Sequence, residues 1–254
     1  MVGLLRSLVR YGLVILVMGV LWKLAALAMG GVILPDPEDA VAALARAMTT
    51  QIFWEHFGVS LYRSVTAMGL AWIIAFPLGL VMGSVKRVDK LLAPFVFLTY
   101  PVPKIVLLPV FLLLLGLGDT SKIAMIALIL GYQILVTTRD GVRSIHPKYF
   151  DSVRSLGGTS LDVLREVLLP AALPHGFTSL RLGTGVSVAV LFFVESFATS
   201  RGLGYMIMDA WGAMDYLTMF AGILGMSIMG AALYEIANVL ERKACRWMFL
   251  RAKD

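Results

Sequence analysis

The stretch YFDSVRSLGGT, residues 149–159, is polar and charged, yet it lies between strongly hydrophobic segments. Gly157 and Gly158 separate it from a second polar piece that ends at Pro170. Glycine interrupts a helix because its backbone is unrestrained, and proline does so because it lacks a backbone donor. We therefore expect two short helices joined by a glycine elbow. A membrane protein that keeps such a segment between its spans is expected to use it for contact outside the bilayer.

The composition of the whole chain predicts an integral membrane protein. Of its 254 residues 59% are hydrophobic and only 15% are charged, whereas soluble domains average about 25% charged residues. One soluble core cannot bury so much apolar surface, so lipid must cover much of it. The net charge of +6 would suit nucleic acid, but the charges lie between the apolar segments and not on one face. We therefore expect membrane lipid, and no nucleic acid, as a partner.

Six hydrophobic segments are long enough to cross a bilayer, which takes roughly 20 residues. They lie at about 11–29, 60–84, 91–117, 122–138, 173–198 and 216–239. The third segment contains Pro94, Pro101, Pro103 and Pro109. Because proline kinks helices, we expect a broken element there, with a short interfacial piece before a main span from about Lys104. Small-residue pairs such as Gly79 and Gly83 suit close helix packing. The sequence thus predicts an all-α membrane protein with about six transmembrane helices in a single domain, residues 1–254.

The basic residues alternate in a consistent way through all six segments. They precede the first, link the second to the third, fill the loop after the fourth and follow the sixth: Arg6, Arg10, Lys86, Arg87, Lys90, Arg139, Arg143, Lys148, Arg154, Arg165, Arg242, Lys243, Arg246, Arg251 and Lys253. Lys and Arg are concentrated in cytoplasmic segments of membrane proteins. We therefore expect both termini and the 139–172 loop to be cytoplasmic, and we interpret the first segment as a retained anchor.

The 139–172 loop carries helix-start signals at two places. Pro147 suits the first turn of a helix that extends to Leu156. After the glycines, Thr159 is placed to cap a second helix, and Asp162 three residues later completes a capping box.

The second helix of the loop is expected to run from about Ser160 to Leu169. It should end there because Pro170 and Pro174 lead into the fifth span. One interpretation of the loop is an interfacial segment whose arginines bind lipid phosphates. The other is a docking segment for a partner protein.

The loop resembles the coupling loop of the permease subunits of binding-protein-dependent ABC importers. That loop has Glu-Ala-Ala, then after three residues a glycine, and an Ile-x-Leu-Pro-like ending. In this chain Asp151-Ser152-Val153 stands at the Glu-Ala-Ala positions, Gly157 at the glycine and 167–170 (Val-Leu-Leu-Pro) at the ending. Aspartate is one methylene shorter than glutamate, and its carboxylate can form the same charge-assisted contacts. The resemblance favours the docking interpretation.

Three further segments resemble one branch of that family, the nitrate/sulfonate/taurine-type permeases. LPDP at 34–37 follows the first span, as LPSP does in the branch, and YPVPK at 100–104 is similar to its PxPK segment. Glu195 followed by GLGY at 202–205 is similar to its AE…GLGY segment. The resemblance covers about residues 34–238, and the ordered set is more specific than any one motif.

This resemblance implies a type I ABC importer-like fold in which the loop is a cytoplasmic two-piece coupling helix that docks on a separate ATPase subunit. The residues implied at that contact are Asp151, Ser152, Val153, Arg154, Leu156 and Gly157. The chain has no G-x-x-x-x-G-K-[ST] phosphate loop, so ATP and Mg are expected on the partner and no cofactor on this chain. The implied assembly contains two permease chains as a homodimer, two ATP-binding subunits and an extracytoplasmic substrate-binding protein, in a bacterial cytoplasmic (inner) membrane.

Two charged residues in or near the spans are candidates for the translocation pathway. Intramembrane charge costs about 2.5–3.5 kcal/mol on insertion scales and usually faces a cavity or a partner. Lys104, which follows Pro101 and Pro103, is placed to attract an anion, although it could also lie at the interface. Glu195 could form part of a gate or a structural ion pair. The resemblance implies a small, anionic substrate such as a sulfonate, taurine, nitrate or an aromatic carboxylate.

Two other functional classes fit the sequence less well. A self-sufficient secondary transporter or channel would need several buried acidic or histidine residues and an internal repeat, and neither is apparent. An intramembrane enzyme would need a nucleophile with a base, or metal ligands. The single cysteine, Cys245, and three widely separated histidines provide no such group, so we expect no catalytic residue and no metal.

Overall fold

A computed structural model of the chain describes residues 2–30 and 33–250, and within these residues all regular structure is helical. The α-helices are α1 (Val2–Met29), α2 (Pro37–Ala47), α3 (Gln51–Ser84), α4 (Lys86–Thr99), α5 (Leu108–Leu115), α6 (Asp119–Arg143), α7 (Pro147–Ser155), α8 (Ser160–Val163), α9 (Leu169–Glu195), α10 (Leu203–Gly212), α11 (Tyr216–Ala244) and α12 (Arg246–Leu250). A 3₁₀ turn (Lys104–Leu107) precedes α5, and a π turn (Leu164–Leu168) joins α8 to α9.

Five helical stretches in the described residues are long and apolar enough to cross a membrane, and a sixth is present if one bent pair of helices counts as one span. The five are 12–29, 51–84, 119–143, 160–195 and 216–244. The prediction of an all-α protein with about six spans is confirmed. The second span begins earlier than predicted, because α3 starts at Gln51 and not near residue 60.

The third span is broken at its prolines, as predicted, but its main part does not begin at Lys104. The two halves, residues 86–99 and 104–115, meet at 86°. The second half contains a 3₁₀ turn of 4 residues and an α-helix of 8 residues. At about 1.5 Å per residue such a piece is far shorter than a hydrocarbon core of about 30 Å. The prediction of a main span from Lys104 is therefore wrong, because only both halves together reach the length of one span.

The second helix of the 139–172 loop also differs from the prediction, because it does not end before the fifth span. The helical path continues from α8 through the π turn into α9, so that residues 160–195 form one apolar stretch. Pro170 lies in the first turn of α9, and Pro174 lies inside the helix. A π turn widens the hydrogen-bond ladder, and here it precedes the position where proline lacks its donor. The loop therefore leads directly into a membrane-spanning helix.

The described helices divide into two compact units, residues 1–59 with 200–227 and residues 60–199 with 228–254. In the first unit, Lys23 forms ion pairs with Asp36 at 2.8 Å and with Glu38, and the indole of Trp22 donates to the carbonyl of Pro35 at 3.0 Å. The hydrogen bond from Lys23 lowers the pKa of Glu38. These contacts connect α1 to the start of α2.

In the second unit, α6 packs closely against α3 and α9 because glycines face it. A Cβ atom added to Gly79 would lie 2.6 Å from the carbonyl oxygen of Leu135, and one added to Gly83 would lie 2.8 Å from that of Arg139. A Cβ atom at Gly183 of α9 would lie 2.2 Å from Leu130. Such close approach of backbones is the role that small residues have in membrane helices.

A buried charge network connects the same three helices and comprises Ser60, Arg63, Asp119, Lys122 and Glu195. Lys122 and Glu195 are 0% exposed and Arg63 only 3%. Arg63 forms ion pairs with Glu195 at 2.8 Å and with Asp119 at 2.6 Å, and the Ser60 hydroxyl donates to the Glu195 carboxylate at 2.7 Å. Lys122 donates to backbone carbonyl oxygens, the shortest contact being 2.6 Å. Asp119, whose side chain is 48% exposed, lies at the edge of the network, and together with Glu195 it supplies two anions for the two buried cations.

We expect Glu195→Gln to destabilise the protein by about 3–5 kcal/mol, because it removes the fully buried carboxylate partner of the Arg63 guanidinium. The measurement is thermal unfolding of the purified protein in detergent. Asp140→Asn is the matched control, since it makes the same carboxylate-to-amide change in an ion pair whose carboxylate is 58% exposed. Equal melting temperatures for the two variants would contradict a stabilising role for the network.

Candidate functional site

The two-piece segment formed by α7 and α8 has the predicted glycine elbow. The His146 side chain accepts from the backbone N–H of Lys148 at 3.2 Å and so caps α7. Gly157 has φ +78, a conformation that disfavours residues with a side chain. Gly158 is required for space, since a Cβ atom there would lie 2.5 Å from the Val153 side chain. Gly157 therefore provides the backbone conformation of the elbow, and Gly158 provides the space for the Val153 side chain.

The predicted capping box at the start of α8 is also confirmed. The backbone N–H of Thr159 donates to the Asp162 carboxylate at 2.7 Å, and the N–H of Asp162 faces the Thr159 hydroxyl at 3.4 Å. These bonds satisfy backbone donors at the helix start that would otherwise have no acceptor. They keep α8 in line with the π turn and α9 that follow.

The outward face of α7 carries side chains that the rest of the described chain does not engage. Leu156 is 90% exposed, and Asp151 and Arg154 are exposed and form no ion pair within the described residues. Ser152 is satisfied within its own helix, because its hydroxyl donates to the carbonyl of Lys148 at 2.8 Å. Val153 packs at the elbow. Tyr149, which is 63% exposed, adds a second large apolar group, so this short segment offers both apolar area and unpaired charges for contact with a partner.

Lys104 lies where the third span breaks, and its ammonium group binds the end of α4. It donates to the carbonyl oxygens of Thr99 at 3.1 Å and Tyr100 at 3.0 Å, and it lies 4.0 Å from the ring centroid of Tyr132. A cation at this position complements the helix dipole. Pro101 and Pro103 are exposed on either side of the break.

Lys104 also lines a cavity of about 380 Å³, together with Tyr132 and Gln133. Attraction of an anion by Lys104 stays a prediction. Glu195 does not line this cavity and lies in the buried charge network, where it has the geometry of a structural ion pair. A gating role for Glu195 likewise stays a prediction.

Sequence reasoning singled out only Glu195 and missed the other four members of the buried charge network, Ser60, Arg63, Asp119 and Lys122. Arg63 and Lys122 lie close to the predicted starts of two spans, where basic residues are common and give no sign of being buried. Their spacing carried a usable signal, because Ser60 and Arg63, and likewise Asp119 and Lys122, are three residues apart and share a helix face.

The described residues contain no group of three or more His, Cys, Asp or Glu side chains that could hold a metal ion. Cys245 follows α11 and is buried, and this burial raises the pKa of its thiol to about 11. At neutral pH it is therefore a protonated thiol and a poor nucleophile.

Comparison with known proteins places this arrangement in a family. Residues 75–245 match the model of the family described as binding-protein-dependent transport system inner membrane component. The chain is 31% identical to the taurine transport system permease protein TauC of Escherichia coli, over 93% of this chain and 88% of TauC. It is 30% identical to the putative aliphatic sulfonates transport permease protein SsuC of Bacillus subtilis, over 85% of this chain and 78% of SsuC.

The fold is similar to that of a solved ABC importer. An inward-facing structure of the MetNI methionine ABC transporter superposes with a TM-score of 0.64 at 16% identity, covering 77% of this chain and 97% of that chain. At this identity the likeness concerns the fold, which is that of type I ABC importer permeases. Since the family model covers more than half of the chain, the protein belongs to the inner membrane components of binding-protein-dependent transport systems.

Proposed function

We propose that this chain is the membrane-spanning subunit of an ATP-driven importer for a small sulfonate such as taurine. The observation that carries the proposal is the exposed α7 face, with Asp151, Arg154 and Leu156, placed on a segment that continues into a spanning helix. The relatives TauC and SsuC, which are transport permeases for taurine and aliphatic sulfonates, support this substrate class.

The α7 face is the proposed docking surface for an ATPase subunit. Asp151 and Arg154 supply charges of both signs for charge-assisted hydrogen bonds, and Leu156 supplies apolar area between them. ATP and Mg are held by that partner, because the chain has no phosphate-binding loop of its own. The surrounding 139–172 loop is cytoplasmic, as are both termini, and the distribution of Lys and Arg supports this orientation.

Movement of the docked segment is transmitted through one continuous helix. The apolar stretch 160–195 contains 36 residues, which corresponds to about 54 Å of helix. The segment α7–α8 lies at one end of it, and Glu195, with its ion pair to Arg63 of α3, lies at the other. A displacement imposed by ATP-driven closure of the partner therefore reaches the far side of the membrane. The partner favours one state of the permease only to the extent that it binds that state more tightly.

The proposed assembly contains two copies of this chain, two ATPase subunits and an extracytoplasmic binding protein that delivers the substrate. The cavity beside Lys104 is the proposed waypoint for the substrate anion. Its ammonium group contacts backbone carbonyl oxygens and the Tyr132 ring but no carboxylate of the described residues, so it retains attraction for a sulfonate, and Tyr132 and Gln133 supply polar groups nearby.

We expect Asp151→Arg and Leu156→Asp each to abolish co-purification of the ATPase subunit in mild detergent, because each removes a central contact of the docking surface. Partner-dependent ATPase activity should disappear with it. The matched control is Asp39→Arg, the same charge reversal at an exposed position of α2. Retention of the ATPase subunit by both α7 variants would refute the docking role. A native protein that purifies without any ATPase would point to a self-sufficient transporter.

We expect Lys104→Gln to reduce taurine uptake by reconstituted transporter at least tenfold, mainly through a higher KM, because the cavity loses its positive charge. Lys104→Arg should retain most uptake, since it keeps the charge. Thermal unfolding of both variants separates this role from capping of α4, which would lower the melting temperature without affecting KM. Unchanged uptake in a stable Lys104→Gln protein would remove Lys104 from the pathway.

A further inference from the structure

The cavity beside Lys104 is lined by a glutamine from the middle of a membrane-spanning helix. Gln133 lines this cavity of about 380 Å³ and belongs to α6, which extends from Asp119 to Arg143. Apart from Tyr132, the residues around it in the stretch 123–136 are apolar or glycine. A polar side chain at such a position is costly in lipid and usually marks a contact with another helix or with a ligand.

The amide of Gln133 has no hydrogen-bond partner among the residues that the structure describes. The residue is half-buried, and its Oε1 atom faces α9, where a Cβ atom added to Gly183 would lie 3.4 Å from it. A polar group that leaves water without gaining a partner lowers stability. The half-buried amide is therefore suited to bind a molecule in the cavity.

The other polar groups of the cavity lining are engaged or exposed. The hydroxyl groups of Tyr132 and Thr99 share a hydrogen bond of 2.9 Å, and the ammonium group of Lys104 lies over the Tyr132 ring. Lys104 is held in turn by the carbonyl oxygens at the end of α4, and Tyr100 is exposed. These contacts fix the position of the cation and leave the Gln133 amide for a ligand.

The charge of the lining matches that of a monoanion. Lys104 is the cation of the described lining, which includes no Asp or Glu. A sulfonate carries a single negative charge on three oxygen atoms, so it can accept from the ammonium group and from a second donor at the same time. The amide N–H group of Gln133 supplies this second hydrogen bond without adding charge.

The rest of the lining is apolar and is not fully buried. Val102 and Val186 are exposed, and Ile105 and Ile129 are half-buried. These side chains offer a surface to the methylene groups of an aliphatic sulfonate. The cavity volume of about 380 Å³ lies within the usual range for small-molecule sites, which is about 300–1,000 Å³.

We propose that Gln133 is a substrate-binding residue of the translocation pathway, and that its amide donates a hydrogen bond to a sulfonate oxygen whose charge Lys104 balances. This role of Gln133 rests on the proposed function, because it takes the cavity beside Lys104 as the waypoint for a sulfonate. A neutral donor orients the anion and binds it less tightly than a second cation would. Moderate binding suits a site that the substrate must also leave.

The test measures taurine uptake by the complete transporter in proteoliposomes, with its ATPase subunit and with saturating binding protein. The test variant is Gln133→Leu, which removes the amide and keeps a side chain of similar size. Gln51→Leu is the matched control, because it makes the same change at an exposed position of α3 outside the cavity lining. We expect uptake to fall about tenfold in Gln133→Leu, as for the loss of one hydrogen bond to a charged group, and to stay near the native level in the control.

Two further variants and the melting temperature separate substrate binding from a structural role. Because the Gln133 amide has no described partner to lose, Gln133→Leu should melt at or above the temperature of the native protein and should still co-purify with the ATPase subunit. Gln133→Asn keeps an amide and should recover part of the uptake. Gln133→Glu should transport less taurine than Gln133→Leu, because a carboxylate in the same cavity repels the anion.

Three results would overturn this role of Gln133. Native uptake by a stable Gln133→Leu protein, while Lys104→Gln remains impaired, would exclude Gln133 and leave the proposed function in place. A lower melting temperature of Gln133→Leu, together with loss of the second permease copy, would assign the amide to contact between copies. Failure of the native transporter to import taurine or any alkanesulfonate would overturn the proposed function and the role of Gln133 together.

Discussion

Charges that lie away from water must be matched by charges or dipoles of the protein, and the ion pair between Arg63 and Glu195 meets this requirement in the second unit. Glu195 is the last residue of α9 and is fully buried, while Arg63 reaches it from α3 and Asp119 from α6. Loss of Arg63 or of Glu195 would remove the buried partner of the other charge, so the pair connects α3 to α9, and the contact with Asp119 adds α6. The glycine contacts along α6 bring the backbones close enough for these side chains to meet.

The same requirement explains both lysines at the broken third span. Lys104 binds carbonyl oxygens at the end of α4, and Lys122 binds those of Leu117 and Gly118 just beyond α5. A helix that ends within the membrane exposes carbonyl groups that water cannot reach, and a cation satisfies several of them at once. The break at Pro101 and Pro103 is thus compatible with the bilayer. A lysine that supports a broken helix beside a cavity is also well placed to meet an anion, so the two roles of Lys104 are compatible.

The continuous helical path from α8 through the π turn into α9 connects the loop rigidly to a membrane-spanning helix. A hinge at Pro170 would have let the docking segment move independently of the membrane spans. The continuous helix instead connects that segment to Glu195, so that in the proposed mechanism a displacement at one end reaches the buried ion pair at the other. The elbow at Gly157, with its positive φ, separates α7 from this continuous helix.

The sequence alone determined the membrane class, the number of spans, the break at the prolines and the two-piece loop with its capping box. These features follow from local rules, since hydrophobic length, proline, positive-φ glycine and capping residues act within a few positions of themselves. Motif order likewise indicated the permease family. Only the tertiary structure decided that Glu195 pairs with Arg63, that Lys104 binds the end of α4 and that α8 continues into α9. Arg63 and Glu195 are 132 residues apart, and no local pattern specifies that two such distant side chains meet. The other two outcomes involve neighbouring residues, but they depend on how the chain bends at the proline break and at the π turn, which the packing of the helices decides.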